Sequence, residues 1–231
     1  MTVKVGIVVF PGSNCEQDCV VSFGALGAET RLIWHEEKSI GDADAVILPG
    51  GFAHGDYLRT GAIARFSPVM EAVRAHADAG GLVAGICNGF QILCEAGMLP
   101  GALRKNSGLK FLCKWVDLRV ENASTAFTSR AREGQVLHIP INHFEGNWYC
   151  TDEELERLRS SGQIVLRYSG NPNGSLDDVA GIVNEGGNVF GLMPHPERAC
   201  DSLLGSEDGA LILRSMLDHV TSGRALTAST A

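Results

Sequence analysis

No stretch of the 231-residue chain approaches the roughly 18 apolar residues needed to cross a bilayer. The first residues also lack the basic-then-apolar pattern of a signal peptide, so no membrane association is expected. Lysine and arginine are scarce and unclustered. The 19 basic residues are outnumbered by 27 acidic ones, for a net charge of −8. That balance argues against nucleic acid or an anionic membrane surface as a partner. A disulfide framework is equally unexpected. The seven cysteines are odd in number and irregularly spaced, as reduced thiols in a cytoplasm would be. Neither a Gly-x-x-x-x-Gly-Lys-[Ser/Thr] loop nor a Gly-x-Gly-x-x-Gly fingerprint occurs, so no ATP or dinucleotide site is expected on this chain. Repeats, low-complexity tracts and interdomain linkers are missing too. With 45% hydrophobic and 20% charged residues, the reading is one globular domain over residues 1–231, with residues 222–231 as a frayed tail.

What is present alternates between short apolar runs and helical patterns. Val3–Phe10 reads as a central strand covered on both faces. It is followed by a helix with Ser13 or Asn14 as its cap. Cys15 and Cys19, one turn apart, have no His or second Cys pair to complete a metal site, so both read as structural and no metal is expected. Strands follow at Glu29–Trp34, Ala45–Leu48 and Gly81–Ile86, with an amphipathic helix over Ala62–Ala77 between the last two. This alternation predicts an α/β fold, a mostly parallel open sheet with helices on both faces. From about residue 109 the texture changes. Lys110–Val120, Gln135–Ile141 and Ile164–Tyr168 read as antiparallel strands added to the sheet. Val179–Asn184 and Val189–Met193 read as a hairpin, and Asp208–Thr221 as a terminal helix.

The chemistry concentrates where Leu82-Val83-Ala84 gives way to Gly85-Ile86-Cys87-Asn88-Gly89-Phe90-Gln91. Strand, sharp turn, helix, with glycines two residues either side of a cysteine, is the thiol counterpart of the Gly-x-Ser-x-Gly elbow. The position at a helix N-terminus favours a thiolate nucleophile. Pro49-Gly50-Gly51-Phe52 follows another strand, so its backbone N–H groups fall at the same carboxyl edge of the sheet. Pro194-His195-Pro196-Glu197 follows a third. Pro196 predicts an extended His195, placing Glu197 on the same side as the ring and able to hold one of its nitrogens. Cys87, His195 and Glu197 then form nucleophile, base and orienting acid. The N–H groups of Gly51 and Asn88 are candidate oxyanion donors, which makes this acyl-transfer equipment.

Those three motifs, in that order, resemble the class I (triad) glutamine amidotransferases. Further segments resemble the members that serve purine biosynthesis. These include Phe10–Cys15, Gly55–Arg59, Leu99–Leu103 and Leu203–Gly209, so that the likeness runs from Val3 to about Leu217. The resemblance implies a flavodoxin-like sheet and hydrolysis of glutamine through a thioester on Cys87. His195 would carry the proton to the departing ammonia, Glu197 would fix its tautomer, and Gln91, His143 and Glu145 would contact the substrate. It implies no cofactor on this chain. ATP and magnesium would sit on a larger synthetase subunit that receives the ammonia, with a small third subunit bridging the two. The chain departs from the family pattern at Phe144, where glycine is expected, and at Ala53-His54, where Ser-Tyr is expected. A different triad amidotransferase, a stand-alone hydrolase and a catalytically dead docking subunit would all keep the same sheet.

Overall fold

The computed structural model describes residues 2–229, with side chains as far as Gly223. The strands, in chain order, are Lys4–Val9 (β1), Glu29–Trp34 (β2), Ala45–Leu48 (β3), Leu82–Ile86 (β4), Ala102–Arg104 (β5), Leu112–Val120 (β6), Val136–His143 (β7), Asn147–Tyr149 (β8), Ile164–Tyr168 (β9), Val179–Val183 (β10) and Val189–Leu192 (β11). The α-helices are Glu16–Ala25 (α1), Val69–Asp78 (α2), Asn88–Glu95 (α3), Asp152–Ser160 (α4) and Asp208–Ser229 (α5).

Nine strands make one mixed sheet in the order β2-β1-β3-β4-β11-β10-β9-β6-β7, while β5 and β8 pair separately. From β2 to β11 every pairing is parallel. From β11 to β7 every pairing is antiparallel. The expected antiparallel additions therefore occupy the whole second half of the sheet. The parallel half is built from runs such as Ala45–Leu48 and Leu82–Ile86, buried along their full length, as strands covered on both faces must be.

Topology fixes where a site can lie. From β1 the chain steps to one edge to make β2, then back past β1 to make β3, β4 and β11 in turn. Right-handed crossovers put α1 on one face and α2 and α3 on the other. The order reverses between β1 and β3, and the crevice at their carboxyl ends is the natural ligand site of such a sheet. The loop after β1 and the turn after β3 meet there, with Asn14 and Cys15 N–H both directed at the Gly50 carbonyl.

Three local expectations are corrected. Neither Ser13 nor Asn14 caps α1, whose first position follows Cys15 without a side-chain cap. Ser13 Oγ instead accepts from Phe10 N–H at 3.0 Å, folding the loop back on β1. The helix expected over Ala62–Ala77 is two pieces, a 3₁₀ turn at Ala64–Phe66 and α2 from Val69. Pro68 forces the break, because Ser67 before it is extended. Finally, α5 runs on to Ser229 instead of stopping at Thr221. The last part of the expected tail, residues 230 and 231, lies outside the described residues.

Candidate active site

Cys87 ends β4 and caps α3 with φ 51° and ψ −103°. A β-carbon tolerates that region poorly, at a cost of about 1–3 kcal/mol. The surroundings hold it there. Cys87 N–H donates to the Leu192 carbonyl at 2.8 Å, and the Cys87 carbonyl accepts from Gln91 N–H at 3.2 Å. Glycine at position 89 is a packing requirement. A β-carbon there would lie 1.9 Å from the Leu48 carbonyl oxygen, so α3 is pressed directly onto the end of β3. The thiol is buried and points toward the end of β7, with Sγ 3.7 Å from the Asn142 carbonyl.

His195 follows β11, and its N–H donates to the Pro140 carbonyl at 2.8 Å. Its backbone is non-helical, as the residue before proline should be, but the chain does not stay extended. Pro196–Arg198 is a single 3₁₀ turn. Pro196, with its preset φ, starts that turn, and the turn rather than strand geometry brings Glu197 beneath the ring. His195 Nδ1 and Glu197 Oε1 are 2.6 Å apart, and both side chains are buried. Nε2 is enclosed without a hydrogen-bond partner. Burial opposes a charge on His195, but the Glu197 carboxylate, with the Cys87 and Cys15 sulfurs beside the ring, more than offsets it and holds the imidazole well above its ordinary pKa. The Cys87, Gly50 and His195 segments close on one spot. A β-carbon on Gly50 would meet His195 Cε1 at 2.8 Å and lie 3.5 Å from Cys87 Cβ.

Cys15 shares that spot, 3.0 Å from the same imagined β-carbon. Its Sγ accepts from Arg198 Nη2 at 3.2 Å, and Arg198 Nε donates to Asp18 Oδ2 at 2.9 Å. Cys19, by contrast, lies in the core, where burial raises its thiol well above the ordinary range. The two cysteines therefore do not share one environment, since Cys15 lines the cavity and Cys19 does not. The available signal for Cys15 was its place after β1, on the carboxyl edge of the sheet. Ligand atoms of Cys15, His195 and Glu197 lie within 4.8 Å of one another. One carboxylate oxygen and Nδ1 are, however, engaged with each other, which suits a hydrogen-bonded relay better than a metal.

These groups line a cavity of about 200 Å³, below the roughly 300–1,000 Å³ typical of drug-sized sites. The N–H groups of Gly51 and Asn88 are absent from the turn and loop hydrogen bonds around them. The Asn88 side chain ties the walls together, accepting from Ala53 N–H at 3.0 Å and donating to Gln91 Oε1 at 2.8 Å. Gln91 Nε2 donates to the Glu145 carbonyl at 2.5 Å, so its amide braces the 142–146 loop. Glu145 itself accepts from Thr60 Oγ1 at 3.1 Å. His143 is fixed in one tautomer. Asn106 spends its amide nitrogen on the Lys110 and His143 carbonyls, leaving its oxygen to accept from His143 Nδ1–H at 3.1 Å. Burial, then the nearby His195, push His143 down to about 3. The ring is therefore neutral, and its Nε2 is a bare acceptor lacking a partner. Of the residues expected at the site, Gly51, Cys87, Gln91, His143, Glu145 and His195 line this cavity. Asn88 and Glu197 do not, and each reaches it through a neighbour, Asn88 bonded to Gln91 and Glu197 to His195. Cys15, Asp56 and Thr60 also line it, and sequence reasoning placed none of them at the site.

Residues 2–208 match the family of CobB/CobQ-like glutamine amidotransferase domains. The chain belongs to this family. A relative from Salinibacter ruber, phosphoribosylformylglycinamidine synthase subunit PurQ, is 55% identical, with 96% of this chain and 98% of the relative aligned. The protein of the same name from Koribacter versatilis is 53% identical over 93% of this chain and 97% of its own. Among solved structures, PurLQS from Thermotoga maritima contains a chain that superposes with a TM-score of 0.89 at 44% identity, covering 95% of this chain and all (100%) of that one. A glutamine amidotransferase from the same organism shares the fold, with a TM-score of 0.62 at 15% identity and 95% and 98% coverage. Against the amidotransferase pattern, Phe144 is accommodated because its φ is not in the left-handed region. Its carbonyl accepts from Asn106 N–H at 2.9 Å. Ala53 is buried at the turn held by Asn88, and the His54 ring packs edge-on against His35, 5.3 Å between centroids.

Proposed function

We propose that this chain is the glutaminase subunit of phosphoribosylformylglycinamidine synthase, acting in purine biosynthesis in the cytoplasm. Cys87 passes its thiol proton to His195 Nε2, and its Sγ attacks the side-chain carbonyl carbon of glutamine. The oxygen takes up the negative charge facing the N–H groups of Gly51 and Asn88, where one such donor typically contributes about 10²–10³ in rate. His195 gives a proton from Nε2 to the departing nitrogen, the C–N bond breaks, and ammonia leaves a glutamyl thioester on Cys87. Water, deprotonated by the same imidazole, then attacks the thioester. The C–S bond breaks, glutamate is released and the thiol is restored. Glu197 keeps the ring oriented and balances its transient charge. His143 and Glu145 contact the substrate, while Gln91 shapes the wall that receives it.

Ammonia released into neutral water is protonated and loses its nucleophilicity, so the product must pass directly to its acceptor. The larger synthetase subunit holds ATP and magnesium and converts formylglycinamide ribonucleotide to formylglycinamidine ribonucleotide. The small third subunit bridges the two. The observation that carries the reading is the 2.6 Å hydrogen bond from His195 Nδ1–H to Glu197, which leaves Nε2 unpaired at the cavity that Cys87 also lines. In the reconstituted complex, Cys87→Ala should abolish glutamine-dependent synthesis and spare synthesis from added ammonium salt. Loss of both would make Cys87 structural.

A further inference from the structure

Away from His195, the charge inside the cavity is one-sided. Asp56 and Glu145 both line it, and among the described residues no lysine or arginine does. Asp56 Oδ1 is enclosed and has no hydrogen-bond partner. Neither carboxylate forms an ion pair among the described residues. Burial, then the neighbouring Glu145 charge, push Asp56 up to about 6. His143, 3% exposed, adds the bare acceptor nitrogen described above. Uncompensated acceptors enclosed together are unfavourable in the empty protein and become favourable when a cation with several donors arrives. A primary ammonium, with three N–H donors, has that chemistry.

Taking the proposed glutamine reaction as given, we propose that Asp56 and Glu145 bind the α-ammonium group of the substrate and select amides that carry it. Thr60 orients Glu145 through its 3.1 Å hydrogen bond, leaving the second carboxylate oxygen for the ligand. With no lysine or arginine among the described residues of the lining, and with the His195 imidazole committed to the reacting amide, the α-carboxylate of the substrate is met by neutral donors. Discrimination therefore rests on the nitrogen. Removing the group that a charged hydrogen-bonding site was built to hold costs about ten- to a hundredfold per bond.

The test compares glutamine with glutaramate, which keeps the side-chain amide and the carboxylate but lacks the α-nitrogen. Binding is measured by calorimetry on the full chain in its complex, using Cys87→Ala so that neither ligand is consumed. We expect glutamine to bind at least about tenfold more tightly. Asp56→Asn should shrink that preference by weakening glutamine alone, and Asp56→Glu should restore part of it. In the enzyme with Cys87 intact, Asp56→Asn should raise KM for glutamine more than it lowers kcat. Equal binding of the two amides, or a preference unmoved by Asp56→Asn and by Glu145→Gln, overturns the ammonium site and leaves the glutaminase reading intact. Failure of both amides to bind overturns the glutaminase reading, and the ammonium site with it.

Discussion

At the scale of single residues, the cavity stores unfavourable electrostatics in titrations that can be followed. Asp56 is raised to about 6 by burial and by Glu145. Between its unfolded value near 4 and that value, the folded state holds a proton the unfolded chain has lost. The resulting penalty is absent in acid and complete above about pH 6. Asp56→Asn should therefore raise Tm at neutral pH and leave it unchanged near pH 4. A rise of two pH units amounts to about 3 kcal/mol, which solvent screening of this half-exposed group reduces to about 1 kcal/mol. An unchanged Tm at neutral pH would contradict the burial argument. His143 behaves in the opposite sense. Its folded value lies near 3, so from about pH 6.5 downward the unfolded chain gains a proton that the folded ring refuses, and stability falls. His143→Gln should flatten the loss between pH 6 and pH 5 by up to about 1.4 kcal/mol per unit in urea melts. Identical slopes would mean that the ring titrates freely. Cys87, His195 and Glu197 were legible in the sequence because each stands in a local pattern with its own chemistry. Cys15 and Asp56 were not, because their meaning depends on which distant segments they meet, and no local spacing encodes that.

At the scale of elements, the site is a consequence of the switch in strand order. The turns after β1, β3 and β4 and the segment after β11 all open on one edge of the sheet. The Gly89 contact with β3 is what keeps the elbow tight. Since the obstruction is a backbone carbonyl that cannot rotate aside, Gly89→Ala should destabilise the fold by about 2–3 kcal/mol and lower glutamine turnover with it. Unchanged melting and turnover would show that α3 can shift freely. The strands of the large sheet and the β10–β11 hairpin were readable from apolar runs and turn glycines, whereas the short pair β5 and β8 was not. Less readable was the one-turn 3₁₀ helix at Pro196–Arg198. A proline fixes its own φ and biases its predecessor, but leaves the next residues free to turn or extend. The same limit hid the break at Pro68, where a good apolar period masked the extended Ser67.

At the scale of the whole molecule, the segment that carries Asp56 into the cavity wall is strained. His54, Asp56 and Leu58 all take left-handed φ values of 53°, 54° and 69°, each at a cost of order 1 kcal/mol. Tyr57 and Leu58 are 73% and 90% exposed. A partner seated on this segment would cover those side chains and hold Asp56 in place. The free chain should therefore hydrolyse glutamine slowly, and reconstitution with the synthetase and bridging subunits should raise the rate several-fold. Full activity without partners would favour a stand-alone amidase. The presence of two thiols beside one imidazole, Cys87 and Cys15, makes the identity of the nucleophile the decisive question. The complex should be mixed with glutamine, quenched in acid and digested, and its cysteine peptides weighed. The relay from Glu197 through His195 predicts a glutamyl adduct on the peptide containing Cys87 and none on that containing Cys15. An adduct on Cys15, or turnover of glutamine with neither peptide modified, would contradict it.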